Sequence, residues 1–438
     1  MSNSTHSSHP NILYIHSHDT GRYVQPYGHA VSTPNIQHLA EQGILFRKAF
    51  CVAPACSPSR AGLLTGQYAH CSGMTGLAHR GFSLSDYNQH IVHTLRKAGY
   101  YSALIGEEHL SKHPEDSGYD LVLDVEGNRA EKVAPAALEL INHNLPNPFF
   151  LSVGFFETHR DFLEPGSLNA MNYAIPPAPL PDTYETRRDM AGFKATARAL
   201  DQGIGSVLES LDANGLSDNT LVICTTDHGV AFPRMKCNLT DHGIGVMLIM
   251  RGPAGFAGGE VSEALVSHID IFPTICDLVQ IEHPSWLQGS SIMPLIQGEA
   301  EEIHDAIFAE VNFHAAYEPQ RAIRTKRWKY IRRFDHHLGP VLANCDDSPS
   351  KQELLYSGWE KQLQPMEQLY DLIFDPNEAC NLANDQSIAA ILEELRDRLD
   401  DWMRDTGDPL LHGPVPAPHG AELNDPDQVS ATYPTHFV

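Results

Sequence analysis

The sequence predicts an α/β fold, a mostly parallel central sheet covered by helices on both faces, followed by a smaller α+β subdomain. Short apolar runs of strand length alternate with amphipathic helical stretches from residue 11 to about residue 278. Clusters of His, Asp and Glu repeatedly follow the ends of the apolar runs, where open α/β sheets place their sites. After about residue 300 the alternation stops. Residues 1–300 therefore read as the main domain and 301–438 as a C-terminal subdomain.

The elements follow in order. Residues 11–15 (NILYI) form a buried strand that ends on the polar cluster His16 to Asp19. Thr33-Pro34 opens a helix and Gly43 ends it. Residues 44–50 return as a strand, 91–97 are helical with Gly99 as cap, and 101–105 are a strand with Glu107 to His109 just past it. A strand over 149–155 leads to His159, and a long amphipathic helix covers about 186–211. Residues 221–225 are a strand followed by Asp227-His228, then a strand over 246–250 and a helix over 269–278. In the subdomain, 321–325 and 328–333 pair as a hairpin around Lys326-Arg327, and 388–404 is an amphipathic helix. The tail from Asp408 is rich in Pro, Gly, His and Asp and reads as an extended arm.

A chain of 438 residues can bury a large core. Its formal charge of −25 opposes a nucleic-acid partner, because a phosphate backbone demands a basic surface. The same charge disfavours docking on anionic membranes, and no stretch approaches a membrane span. The N-terminal ten residues are His/Ser-rich without a basic region or apolar run, which predicts no secretory signal. The eight cysteines show no zinc-ribbon spacing, so reduced thiols and a cytoplasmic location are expected.

The most informative stretch is Cys56-Ser57-Pro58-Ser59-Arg60. Ser57 suits a helix cap and Pro58 its first turn, with Thr65-Gly66 as the stop. Cys56 then lies at a helix N-terminus, where free N–H groups favour an anion, and Arg60 returns to the same face one turn on. A nucleophile in an anion hole points to attack on a sulfate or phosphate ester.

The segment CSPSRAGLLTG, residues 56–66, resembles the signature of the type I sulfatases. In that family a maturation enzyme oxidises the cysteine to formylglycine, whose hydrate is the nucleophile. The resemblance extends over nearly the whole chain. Residues 11–19 and 225–229 resemble the two metal-binding segments, and 106–109 the catalytic histidine segment. Residues 201–229, Phe232-Pro233 and 369–383 resemble most the heparan N-sulfatase branch. The fold this implies is the alkaline-phosphatase-like sandwich.

The resemblance implies a role for each candidate. His18, Asp19, Asp227 and His228 would hold one divalent ion, or the last three would with the nucleophile completing the set; calcium is the family default, with manganese or zinc favoured by the imidazoles. Read alone, Asp19 and Asp227 also suit helix caps at strand-to-helix turns. Cys56 is the nucleophile and Arg60 holds the sulfuryl oxygens. His109 takes the proton whose loss releases sulfate, and His159 and Lys236 assist the leaving group. Glu107, His70, Arg160, His314 and Arg321 are candidates for the pocket rim, each with a structural role as the alternative.

Two positions depart from the family pattern. His18-Asp19 stands where two aspartates are usual, and Glu107 stands where a lysine binds the sulfate. A carboxylate beside a sulfate is repulsive unless it is protonated or bound to a cation. At an effective dielectric of about 20, a like-charge contact near 4 Å costs on the order of 4 kcal/mol. A salt link from Glu107 to Lys112 or Arg160 is one expected solution.

The expected reaction is hydrolysis of a sulfate ester or sulfamate, on a sugar. The expected partners are a sulfated small molecule or oligosaccharide and the formylglycine-generating enzyme, with self-association left open. A phosphonate monoester hydrolase or phosphodiesterase on the same scaffold is the enzymatic alternative. A non-catalytic binder of sulfated glycans is the other.

Overall fold

The computed structural model describes residues 9–143, 145–166 and 168–438. The first eight residues of the segment read as lacking a signal lie outside the described residues.

Eight strands form the central sheet: β1 (Asn11–Ser17), β2 (Ile44–Phe50), β3 (Tyr101–Gly106), β4 (Leu121–Leu123), β5 (Phe149–Gly154), β6 (Thr220–Thr226), β7 (Leu248–Arg251) and β8 (Glu260–Ser267). Their spatial order is β4-β3-β5-β1-β6-β7-β2-β8. All pairings are parallel except those of β7, which runs against β6 and β2. Strands β1, β5 and β6 are buried along their whole length, as near-continuous apolar runs require in a sheet covered on both faces.

The alternation of side chains across β1 builds two cores. Ile12 and Tyr14 join one apolar cluster with Phe46, Phe150 and Phe272. Leu13 and Ile15 join another, on the opposite face, with Val133, Leu151 and Ile204. The long helix Tyr184–Ala213 begins with Thr183, whose hydroxyl accepts the Thr186 amide, and it contributes Leu200, Ile204 and Val207 to this second core.

A second sheet of four antiparallel strands follows: β9 (Ala306–Phe313), β10 (Tyr317–Thr325), β11 (Trp328–Arg333) and β12 (Glu367–Asp371), in the order β12-β11-β10-β9. The expected hairpin is the β10–β11 pair. The helix Ala389–Asp405 packs Leu392, Leu395, Leu399 and Trp402 against Ile323 and Tyr330.

The structure corrects several local expectations. Ser57 is not the cap of the helix Cys56–Thr65. Ala55 is, in extended conformation, and the Ser57 hydroxyl instead accepts the Ala78 amide at 3.0 Å. The helix Ile91–Lys97 is capped by Ala98 rather than Gly99. The tail from Asp408 lies packed on the body: Ala421, Leu423 and Asn424 are buried, and Asn424 donates its amide to the Ala315 carbonyl.

Candidate active site

Register brings the site together. Ser17 and Thr226 are partners at the ends of adjacent parallel strands, so His18-Asp19 and Asp227-His228 emerge side by side. Gly106 pairs with Gly154 in the same way, which releases Glu107 to His109 and the segment toward His159 at the same sheet edge. The helix Cys56–Thr65 presents Cys56 and Arg60 to this edge, and every one of its residues is buried.

Asp227 is the hub. Its Oδ1 accepts the amides of Asp19 and His228, both at 2.8 Å. Its Oδ2 meets Arg60 Nη2 at 3.1 Å and lies 3.2 Å from His18 Nδ1. Burial alone would raise its pKa, but His228, Arg60 and His18 hold it well below the usual carboxylate range. Arg60 also donates to the Ser17 carbonyl at 3.1 Å and contacts His16 Nδ1 at 2.6 Å. It anchors the cluster from beneath.

The donor set fits a divalent cation. One ligand atom each from His18, Asp19, Cys56 and Asp227 lie within 4.8 Å of one another. Neither ring nitrogen of His18 makes a hydrogen bond, and Asp19 Oδ1 makes none. His228 stands beside this set. Its Nδ1 lies 2.9 Å from the Gly229 carbonyl, which can only accept, so Nδ1 carries the proton. Its Nε2 lies 3.2 Å from Asp19 Oδ1 and 3.4 Å from Cys56 Sγ.

Burial pushes the Cys56 thiol well above its ordinary pKa, against the pull of Lys236. A buried, protonated thiol is a weak nucleophile. Lys236 is itself buried and places Nζ 2.9 Å from Asp19 Oδ2 and 3.1 Å from Asp346 Oδ2. His159 Nδ1 donates to the Arg160 carbonyl at 2.6 Å, and its Nε2 lies 4.0 Å from Asp19 Oδ2. A pocket of about 650 Å³ opens beside this cluster, lined by His18, His79, Glu107, His109, Lys112, Asn128 and His159 among others. His109 adopts a positive φ of 63°. Burial lowers its pKa well below the usual imidazole value, so it is neutral.

The rim candidates divide. Glu107 lines the pocket, but its carboxylate accepts from Asn128 Nδ2 at 2.8 Å rather than pairing with Lys112 or Arg160. His314 is buried within electrostatic reach of Lys236, Asp346 and His228, and burial lowers its pKa well below normal. The other three are committed to internal ion pairs. Arg160 grips Asp189 with two nitrogens at 2.6 and 2.8 Å and lies over the Phe162 and Phe232 rings. His70 pairs with Glu310 at 2.8 Å. Arg321, fully buried, pairs with Asp408 and Glu310. These three hold the scaffold and do not offer charge to a ligand. Sequence reasoning missed Asp346, His79 and Asn128, which sit in loops or short turns without a motif around them.

The sulfatase family matches residues 10–281, and the family described as N-sulphoglucosamine sulphohydrolase, C-terminal, matches residues 234–365. The chain belongs to the sulfatase family and is an enzyme of the sulfuric ester hydrolase class. It is 31% identical to human N-sulphoglucosamine sulphohydrolase over 92% of each chain. It is 28% identical to an ulvan-active sulfatase of Formosa agariphila, covering 91% of this chain and 75% of that one. Among solved structures, a 2-O GAG sulfatase superposes with a TM-score of 0.72 at 20% identity, covering 94% of this chain and 95% of the other. A second, solved in complex with its substrate D-glucosamine-2-N,6-O-disulfate, gives a TM-score of 0.72 at 20% identity over 96% and 100%.

Proposed function

We propose that this sulfatase hydrolyses the sulfamate or sulfate ester of a sulfated glucosamine, with position 56 as nucleophile. The observation that carries the reading is the convergence of Cys56, His18, Asp19 and Asp227 in one buried cluster, with His228 3.2 Å from Asp19, beside a 650 Å³ pocket. The likeness to N-sulphoglucosamine sulphohydrolase, in both halves of the chain, supports the N-sulfated sugar.

Asp19 and Asp227, with His18 and His228 beside them, would hold one divalent ion, which supplies Lewis-acid charge to the sulfuryl oxygens. Conversion of Cys56 to formylglycine by a maturation enzyme would replace the weakly nucleophilic thiol by a hydrated aldehyde oxygen. Arg60 fixes Asp227 so that its Oδ2 stays ionised and in place. The Lys236 ammonium stands at the same carboxylate as His159, and the two together serve the leaving nitrogen or oxygen. Neutral His109 has a buried Nδ1 without a hydrogen-bond partner, a base available to take the proton that frees sulfate.

The test compares sulfate release from N-sulfoglucosamine, release from an O-sulfated glucosamine, and hydrolysis of a phosphonate monoester on one preparation. The N-sulfated sugar should give the highest kcat/KM. Preference for the phosphonate ester would refute the assignment.

A further inference from the structure

The two departures at positions 18 and 107 meet in space. One ligand atom each from His18, Glu107 and His109 lie within 4.8 Å of one another, on the wall of the large pocket and outside the Asp19–Asp227 pair. Each side chain is prepared to ligate. His18 is 1% exposed, its Nδ1 stands 3.2 Å from Asp227 Oδ2, and its Nε2 has no hydrogen-bond partner. Glu107 Oε2 accepts from Asn128, which fixes the carboxylate and leaves Oε1. Glu107 has no ion-pair partner among the described residues. His109 has a buried, unpartnered Nδ1, while its Nε2 lies 2.8 Å from His79 Nδ1. A ring held at one nitrogen by a neighbour and bare at the other is the usual state of a metal-ligating histidine.

We propose that His18, Glu107 and His109 form a second cation site, distinct from the ion of Asp19 and Asp227, for a zinc-class transition metal. Two imidazoles and one carboxylate suit zinc and leave further coordination positions open toward the pocket. The ion would offset the negative charge that Glu107 brings to this wall. This site shares His109 with the proposed function, and it also shares His18, which stands in both clusters. An ion and a proton exclude each other on Nδ1, so the zinc-loaded chain and the chain in turnover are different states, and binding is read without turnover.

The experiment titrates zinc and, separately, cobalt(II) into the full-length protein, wild type against Glu107→Gln, Asn128→Ala and Asp227→Asn. Bound metal is counted after gel filtration, and cobalt is followed by its visible absorption. Circular dichroism checks that each variant folds. The wild type should hold one transition-metal equivalent that Glu107→Gln loses and Asp227→Asn retains. Asn128→Ala should bind it about 10–100-fold more weakly, as loss of an orienting partner does. Unchanged zinc and cobalt binding in Glu107→Gln, or no zinc binding in the wild type, would overturn this site. A transition metal lost only in Asp227→Asn would likewise overturn it and leave the first ion's assignment standing.

Discussion

Lys236 and Asp19 are joined across the site, Nζ to Oδ2 at 2.9 Å, and the same ammonium holds Asp346 at 3.1 Å. One buried cation thus ties the end of β1 to the loop between β11 and β12. Asp19 and Asp346 raise the Lys236 pKa well above normal even though burial works the other way. Lys236→Met should leave the buried Asp19 and the partly buried Asp346 carboxylates without their shared ammonium. The expected cost is about 3 kcal/mol of stability, with a large loss of kcat. Urea denaturation and turnover on the same preparation check both. Unchanged stability would mean that the ammonium is not the partner of these carboxylates.

Arg321 was expected at the pocket rim, but its guanidinium is fully buried against Asp408 and Glu310. Arg321→Met should lower stability by about 3–5 kcal/mol, the cost of breaking a buried pair. The folded fraction should keep kcat/KM within about twofold, because no reacting group loses a contact. A selective rise in KM without loss of stability would return Arg321 to the substrate.

The His70–Glu310 pair makes stability depend on pH. Burial opposes the charge on His70, but Glu310 outweighs it and raises the pKa from 6.5 to about 10. Folding therefore favours protonated His70. Its contribution is complete below the unfolded value of 6.5 and is lost as pH rises toward about 10. The stability gap between wild type and His70→Gln should be widest below pH 6.5 and shrink steadily through pH 8 and 9. Denaturant midpoints across that range measure it, and a gap that grows with pH would contradict the pairing.

Asp227 gathers two amides, Arg60 and His18 at one carboxylate. Asp227→Asn should remove the first divalent ion and reduce turnover on the order of a thousandfold, since a Lewis acid contributes several kcal/mol. Metal content and steady-state rate are measured together. A variant with full metal and full rate would exclude Asp227 as ligand.

How much of this was legible depends on how local the cause is. Strand β2 and the helix Ile91–Lys97 were readable to the residue, because their apolar pattern and flanking breakers are continuous in sequence. The helix Ala130–Asn142 was not, since Pro135 inside it reads as a breaker. Cys56, Arg60, Asp19 and Asp227 stood out through motif and position after strands. The fate of Arg160, His70 and Arg321 did not. Their partners Asp189, Glu310 and Asp408 lie 29, 240 and 87 residues away, and only tertiary packing makes those pairs. Asp346 likewise acquires its role from the fold alone.

In the proposed function, position 56 delivers the nucleophile of a sulfatase acting on a sulfated glucosamine. The most direct measurement is sulfate released from N-sulfoglucosamine by protein co-expressed with a formylglycine-generating enzyme, beside Cys56→Ala prepared identically. The wild type should release sulfate through many turnovers, and Cys56→Ala, folded and equally stable, should release none. Equal rates from the two proteins would contradict the account.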